Sequence, residues 1–76
     1  MIYPTYYKKE LCCGQVVYIK QLSETKGVYV KTVKVKDKVE VKEHTTVTCP
    51  NGAEFEAHFL RDFIEVPETE FPVSSE

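Results

Sequence analysis

The chain has 76 residues, of which 42% are hydrophobic and 29% are charged, and its formal net charge is −2. A chain of this length has room for one small core, and its ordinary composition excludes a disordered acidic or basic tail. Because this net charge is small, the protein as a whole lacks the electrostatic field that would draw it onto nucleic acid or an anionic membrane.

The amino-terminal segment, residues 1–13, shows no sustained period of two or of 3.6, and we interpret it as an arm that packs on the domain. It contains no apolar run of signal-peptide length, and no segment of the chain approaches the roughly 18 to 20 apolar residues of a membrane span. The cysteines Cys12, Cys13 and Cys49 form an odd set, which argues for reduced thiols. The predicted location is therefore the cytoplasm.

The first clear strand begins at Gly14 with the sequence GQVVYIKQL. Val17 and Ile19 point to one face of this strand and Val16 and Tyr18 to the other, because successive side chains alternate. A strand that is apolar on both faces is typical of a central position in a sheet.

The next run, GVYVKTVKVK, changes the phase of its alternation. Valines occupy even positions up to Val30 and odd positions from Val33 onward. A slip of one residue turns every following side chain to the other face, so the pattern predicts a bulge or bend near Lys31 and Thr32. An aspartate among lysines at residues 36–38 predicts a tight hairpin.

A second hairpin is predicted at Asn51-Gly52, because Asn-Gly between alternating runs is a strong hairpin signal. A three-residue loop, residues 50–52, places apolar residues opposite one another on the inner face. The predicted inner pairs are Cys49 with Ala53, Val47 with Phe55 and Thr45 with Ala57, and the outer pairs include His44 with His58. Residues 60–62 then form a helical turn, residues 63–66 a closing strand, and residues 67–76 an acidic flexible tail.

These elements predict an all-β fold, a small five-stranded, partly open barrel over residues 14–66 with one short helical turn before the last strand. This layout resembles the SH3-like barrel superfamily, and the resemblance implies fold only. The closing segment FEAHFLRDFIEV also resembles the end of the variable chain of ferredoxin:thioredoxin reductase, a non-catalytic SH3-like subunit. The glycine-rich stretch expected in the middle of that family is absent, as is the ALYDY-like element of proline-binding SH3 domains, so no functional residue is transferred.

The residues suited to metal binding or catalysis lack the required spacing. No C-x-x-C or H-x-x-x-H pair is present, and buried cysteines with a surface histidine pair explain the same residues without a metal. In the predicted register Cys49 is a core residue, and it lies on the opposite face from His44 and His58, so no cysteine–histidine pair forms there. No serine nucleophile motif or phosphate-binding loop occurs either. We therefore expect neither an enzyme nor a bound cofactor or metal.

Tyrosines favour protein binding, because all five lie within the first 29 residues and tyrosine is enriched at interfaces. The predicted protein-binding residues are Tyr7, Tyr18 and Tyr29. The alternative is that these rings complete a small core. The leading hypothesis is a non-enzymatic protein-interaction module with another protein as partner, such as a small accessory or inhibitor protein of a phage or mobile element.

Charge separation favours a second hypothesis. Seven lysines lie between residues 20 and 42, whereas eight acidic residues from Glu43 onward accompany the single Arg61. The even-numbered Lys34, Lys36, Lys38 and Lys42 would line the outer face of one ribbon and bind nucleic acid weakly, without sequence preference. Lysines on strand edges also keep sheets from pairing, and the scarcity of arginine weakens base recognition.

Overall fold

A five-stranded antiparallel sheet is the main element of the computed structural model, which describes residues 3–12 and 14–71. The strands are β1 (Thr5–Glu10), β2 (Gln15–Gln21), β3 (Lys26–Val35), β4 (Lys38–Thr48) and β5 (Ile64–Val66). Between β4 and β5, helix α1 (Gly52–Phe55) continues as a π-helical turn (Glu56–Leu60), and a 3₁₀ turn (Glu68–Glu70) follows β5. The strand order is β4-β3-β2-β1-β5. Of the predicted all-β barrel, the five strands and the short helix before the last strand are confirmed, and the strands form an open antiparallel sheet.

Strand β2 lies at the centre of the sheet, as its two apolar faces predict. Val17 and Ile19 are buried on one face, whereas Val16 and Tyr18 are half-buried on the other. We call the first the helix face, because α1 covers it. We call the second the tail face, because Phe71 covers part of it.

The amino-terminal segment contributes a strand, β1, to the interior of the sheet. The pairing of β1 with β2 runs from Thr5 opposite Gln21 to Glu10 opposite Val16, and β5 pairs with the other side of β1. Both faces of β1 are partly covered, so its side chains do not alternate between polar and apolar. The sequence pattern therefore misses this strand.

The tight hairpin predicted at residues 36–38 is confirmed. Val35 lies opposite Lys38, so the loop has only two residues, Lys36 and Asp37. Lys36 has a φ of 58°, a left-handed conformation that two-residue hairpin loops require at their first central position.

The predicted register shift is present between Lys31 and Thr32, but the extra residue lies in the neighbouring strand. Lys31 opposes Glu43 and Thr32 opposes Val41, which leaves Lys42 of β4 unmatched. Strand β3 itself keeps one register along β2. The predicted reversal of faces within β3 is therefore wrong.

As a result, the buried residue at this point of β3 is Thr32, which is 1% exposed, and Val33 is only half-buried. The Thr32 hydroxyl donates a hydrogen bond to the carbonyl oxygen of Val16 at 2.9 Å. A buried hydroxyl is tolerated when it has such a partner.

The second predicted hairpin is wrong, because Asn51 begins a helix. The Asn51 Oδ1 atom accepts a hydrogen bond from the backbone N–H of Glu54 at 2.8 Å. Asparagine is favoured at helix N-caps as well as in hairpin turns, and the following Ala53, Glu54 and Glu56 are good helix formers. The predicted inner pairs, Cys49 with Ala53, Val47 with Phe55 and Thr45 with Ala57, do not form, and neither does the pair of His44 with His58.

The helix also lies earlier than the turn predicted at residues 60–62. It ends at Leu60, and Asp62 adopts a φ of 67° before β5 begins. The closing strand predicted at residues 63–66 is confirmed as β5.

Two small cores lie on the two faces of the sheet. On the helix face the Phe55 side chain is fully buried and contributes to a core with Val17 and Ile19. On the tail face the Phe71 ring lies 5.1 Å from the Tyr6 ring and 6.0 Å from the Tyr18 ring. The first residues of the predicted flexible tail are thus packed on the sheet, and residues 72–76 of that prediction lie outside the described residues.

Across the described part of the chain, no helix has the length and apolar character needed to cross a membrane.

Replacing Asn51 with alanine is expected to lower the free energy of unfolding by about 1 kcal/mol, because the side-chain acceptor for the Glu54 N–H is lost. Asn51→Asp keeps an acceptor oxygen and serves as the control. Urea denaturation followed by circular dichroism measures both variants. Equal stability of the alanine and aspartate variants would contradict the capping role.

Candidate binding cleft

A cleft of about 610 Å³ lies on the helix face between β1 and α1. A second recess of about 460 Å³ shares Tyr7, Ala53 and Glu56 with it and extends along the π-helical turn to Arg61. Both volumes fall in the range of roughly 300 to 1,000 Å³ typical of ligand sites. We call the first the β1–α1 cleft, and its lining residues are Tyr3, Thr5, Tyr7, Gln21, Glu24, Gly52, Ala53 and Glu56.

Tyr7 lies where the two recesses meet. Its side chain is half-buried, and its backbone pairs with Ile19 on one side and Glu65 on the other. Burial raises the pKa of the Tyr7 hydroxyl, and the charges of Glu65, Tyr3 and Glu56 raise it further. The hydroxyl therefore stays protonated at neutral pH and lies in a negative potential.

Gln21 forms a buried polar part of the cleft lining. It is only 7% exposed, and it takes part in none of the side-chain hydrogen bonds found among the described residues. No fully enclosed side-chain nitrogen or oxygen in the described chain lacks a partner, so the Gln21 amide must reach accessible space. Its two N–H donors and its carbonyl oxygen are available to a bound group.

Acidic residues surround the cleft. Glu24 and Glu56 line it and are exposed, and Glu65 is close enough to affect the pKa of Tyr7. Arg61 lines the far end of the second recess and not the β1–α1 cleft itself. The arrangement therefore favours a positively charged group.

The three predicted tyrosines do not share one surface. Tyr29 lies on the helix face with Tyr7, but the fully buried Ile19 lies between them in the same row of the sheet. Burial and then Glu43 raise the pKa of Tyr29. Tyr18 lies on the tail face against Phe71. Of the three tyrosines, Tyr7 is the one in the cleft.

The four predicted lysines do not line one face of the β3–β4 ribbon, although all are exposed. Lys34 opposes Val39, which places it on the tail face, whereas Lys38 opposes Val35 on the helix face. Because the loop has two residues, even-numbered residues of β3 lie opposite odd-numbered residues of β4. Even-numbered lysines on the two strands therefore lie on opposite faces of the sheet. Lys36 lies in the loop, and Lys42 is the unmatched residue, whose Nζ lies 3.4 Å from Glu40 Oε1.

The cysteines and histidines are dispersed. Cys12 is exposed and Cys49, which is predicted as a core residue, is half-buried, and both are free thiols. Cys13 lies outside the described residues. Within the described ranges, no group of three histidine, cysteine, aspartate or glutamate side chains is placed to hold a metal ion.

The sequence pattern identifies Tyr7 as a site residue but misses the other residues that line the cleft, and the most buried of these polar residues is Gln21. A signal for it exists in the alternation of β2, because Gln21 falls on the same face as Val17 and Ile19. A polar residue on the same face as two buried apolar residues indicates either a hydrogen-bonded core position or a binding site.

The raised pKa of Tyr7 predicts that the midpoint of its ionisation lies above the ordinary value of 10.0. The folded protein holds this proton more tightly than the unfolded chain does, so the Tyr7 contribution to stability is complete below pH 10 and is lost as the pH rises further. The difference in tyrosinate absorbance between the native chain and Tyr7→Phe measures it. In concentrated urea the midpoint of this difference should return to the ordinary pKa of 10.0. A midpoint at or below 10.0 in the folded protein would contradict the burial of Tyr7.

The β1–α1 cleft thus combines a half-buried tyrosine, a buried amide and an acidic rim. Comparisons with protein-family models, with curated proteins and with solved structures find no match.

Proposed function

We propose that this protein is a non-enzymatic interaction module whose β1–α1 cleft receives a lysine or arginine side chain of a partner protein. The single observation that carries this proposal is Gln21, a nine-tenths buried amide without a side-chain partner among the described residues, in a cleft lined by tyrosine and glutamate. In this proposal the protein is a small accessory or inhibitor protein of a phage or other mobile element.

A cationic side chain fits the chemistry of the cleft. Glutamates at the rim provide charge-assisted acceptors, and tyrosine rings attract a cation over their faces. The Gln21 carbonyl oxygen adds a neutral acceptor deeper in the cleft. These groups would hold an ammonium or guanidinium group from three sides.

A protein segment is favoured over a small cation because the site is elongated. The second recess continues along the π-helical turn and offers Ala57 and Leu60 as apolar contacts. A peptide could therefore place its basic side chain beside Glu56 and its neighbouring residues along this recess.

We also propose that the sheet is an SH3-like, partly open barrel. Support comes from the meander of β1 to β4, the helical segment that follows it, and the return of β5 to pair with β1. In this arrangement the helix closes one end of the curved sheet, and the cleft lies beside it.

Nucleic-acid binding by the β3–β4 hairpin is the second candidate. The exposed Lys34, Lys36 and Lys38 support it, whereas their division between two faces and the loop weakens it. Binding to DNA or RNA that falls steeply with salt concentration would favour this candidate over the cleft.

Two peptides that differ only in one central residue, lysine or glutamate, test the cleft. The lysine peptide is expected to shift the nuclear magnetic resonance signals of Tyr7 and Gln21, and the glutamate peptide is not. Glu56→Gln should weaken lysine-peptide binding by about two- to fivefold, which corresponds to one partly exposed charge pair. Glu54→Gln is the matched control, because Glu54 is exposed on the same helix and does not line the cleft.

Shifts confined to other surfaces, or equal weakening by the two glutamine variants, would contradict the proposal. The native partner is then sought by affinity capture from host cells. Capture that is lost in Tyr7→Ala and kept in Glu54→Gln would assign the partner to the cleft.

A further inference from the structure

Strand β4 forms a free edge of the sheet and exposes nearly all of its side chains. Of its 11 residues only Val47 is half-buried, and Val39 and Val41 are 54% and 37% exposed. The outer side of an edge strand presents unpaired backbone N–H and C=O groups, which are a template for another strand. This edge is distant in the strand order from β1 and therefore separate from the β1–α1 cleft.

The outward backbone groups can be assigned from the hairpin. Residues that flank a two-residue loop form a hydrogen-bonded pair, here Val35 and Lys38, and the pairs then alternate. The N–H and C=O groups of Val39 and Val41 therefore point away from β3. Between the loop and the unmatched Lys42, the edge is regular.

We propose that two copies of this chain pair antiparallel through β4, with Val39 opposite Val39 of the second copy. A two-fold axis at this residue makes the interface self-complementary, as most homodimer interfaces are. Val39 donates to and accepts from its own counterpart. The same register places Lys38 opposite Glu40 of the second copy, and symmetry forms this pair twice.

Charge complementarity selects this register over its neighbours. Placing Val39 opposite Val41 of the second copy would oppose Glu40 to Glu40 at the two-fold axis. Shifting the register in the other direction, with Val39 opposite Asp37 of the second copy, would oppose Lys38 to Lys38 at the two-fold axis. Like charges directly opposite each other destabilise a strand pair, whereas opposite charges stabilise it.

The pairing is short, because the irregularity at Lys42 ends the regular edge. In the proposed register Val41 opposes Asp37 of the second copy, so about five residues of each chain take part. Lys38 and Glu40 lie on the same face of the sheet, and Glu40 already lies 3.4 Å from Lys42 of its own chain. The result is a small charged network across the two-fold axis on the helix face and a pair of Val39 side chains on the tail face.

A charge-reversal series tests the proposal by sedimentation equilibrium at millimolar protein and low salt. The native chain is expected to dimerise, and Lys38→Glu and Glu40→Lys should each weaken the dimer by about tenfold or more, because two attractive pairs become repulsive. The double variant, Lys38→Glu with Glu40→Lys, should restore the native affinity. Lys34→Glu is the matched control, because it makes the same charge change on β3, away from the edge.

Val39→Pro gives an independent measurement. Proline removes the N–H that pairs with the second copy, and in the single chain this N–H is unpaired, so the variant should fold and be monomeric. Circular dichroism checks the fold of each variant. A native chain that is monomeric at millimolar concentration, single variants that dimerise as well as the native chain, or a double variant that fails to recover would each overturn the proposal.

Discussion

Replacing Phe55 with alanine is expected to lower the free energy of unfolding by about 3 to 5 kcal/mol. The Phe55 side chain is fully buried, it packs 5.3 Å from the Phe59 ring, and its far edge lies over Gly27 of β3. Its removal leaves a cavity between the helix and the sheet. A domain of 76 residues has a total stability of roughly 4 to 11 kcal/mol at about 0.05 to 0.15 kcal/mol per residue, so the loss is a large share of it.

The measurement is urea denaturation followed by circular dichroism, with Phe59→Ala as the control. Phe59 belongs to the same aromatic pair but is only half-buried, so its replacement should cost less. A loss below about 1 kcal/mol for Phe55→Ala, or a larger loss for Phe59→Ala, would show that Phe55 does not anchor the helix to the sheet.

The elements that the sequence predicts correctly are those determined by local pattern. Strand β2 alternates cleanly and lies in the centre, and a tight hairpin joins β3 and β4 at the predicted place. The position of the register shift is also correct, because Lys31 and Thr32 interrupt the valine alternation. Which strand carries the extra residue depends on the partner strand, and a single strand's sequence does not contain that information.

Strand β1 is missed because distant segments cover both of its faces. Tyr6 packs against Phe71 near the end of the described chain, whereas Tyr7 faces α1. A residue on either face is thus partly buried, and no alternation appears. Only the long-range packing explains why Thr5–Glu10 lies between two other strands.

The Asn51-Gly52 pair shows how two local rules compete. Asparagine followed by glycine suits a hairpin, and asparagine three residues before a glutamate suits a helix start. Both readings turn Phe55 inward, so the predicted burial of Phe55 is correct although its predicted secondary structure is not. The helix is favoured here because it places the Phe55 ring against Gly27, where the absence of a side chain leaves room for it.

The candidate site could be predicted only in part. Tyr7 is named by the tyrosine pattern, but its neighbours in the cleft come from β2 and α1. The prediction groups it with Tyr18, which lies on the opposite face because of its even position in β2. The lining residues come from β1 and the segment before it, β2, the loop after β2, α1 and the π-helical turn, and only the fold brings these segments together.

Gly27→Ala is expected to lower the free energy of unfolding by about 1 to 3 kcal/mol. An added Cβ would lie 2.7 Å from Phe55 Cζ and 2.9 Å from the carbonyl oxygen of Lys20, both too close for a carbon atom. Replacing a strand glycine with alanine otherwise stabilises by roughly 0.5 to 1 kcal/mol, so even the sign of the change is informative. Urea denaturation measures it.

A double-mutant cycle with Phe55→Leu separates the two close contacts of that Cβ. Leucine lacks the far end of the ring, so the cost of Gly27→Ala should fall in the Phe55→Leu background, with a coupling energy of about 0.5 kcal/mol or more. Gly14→Ala is the control, because its Cβ has space but its φ of 76° makes alanine strained, and this cost should not couple to Phe55. Zero coupling would assign the whole cost of Gly27→Ala to the Lys20 carbonyl oxygen, and a stabilised Gly27→Ala variant would show that Phe55 does not lie over β3.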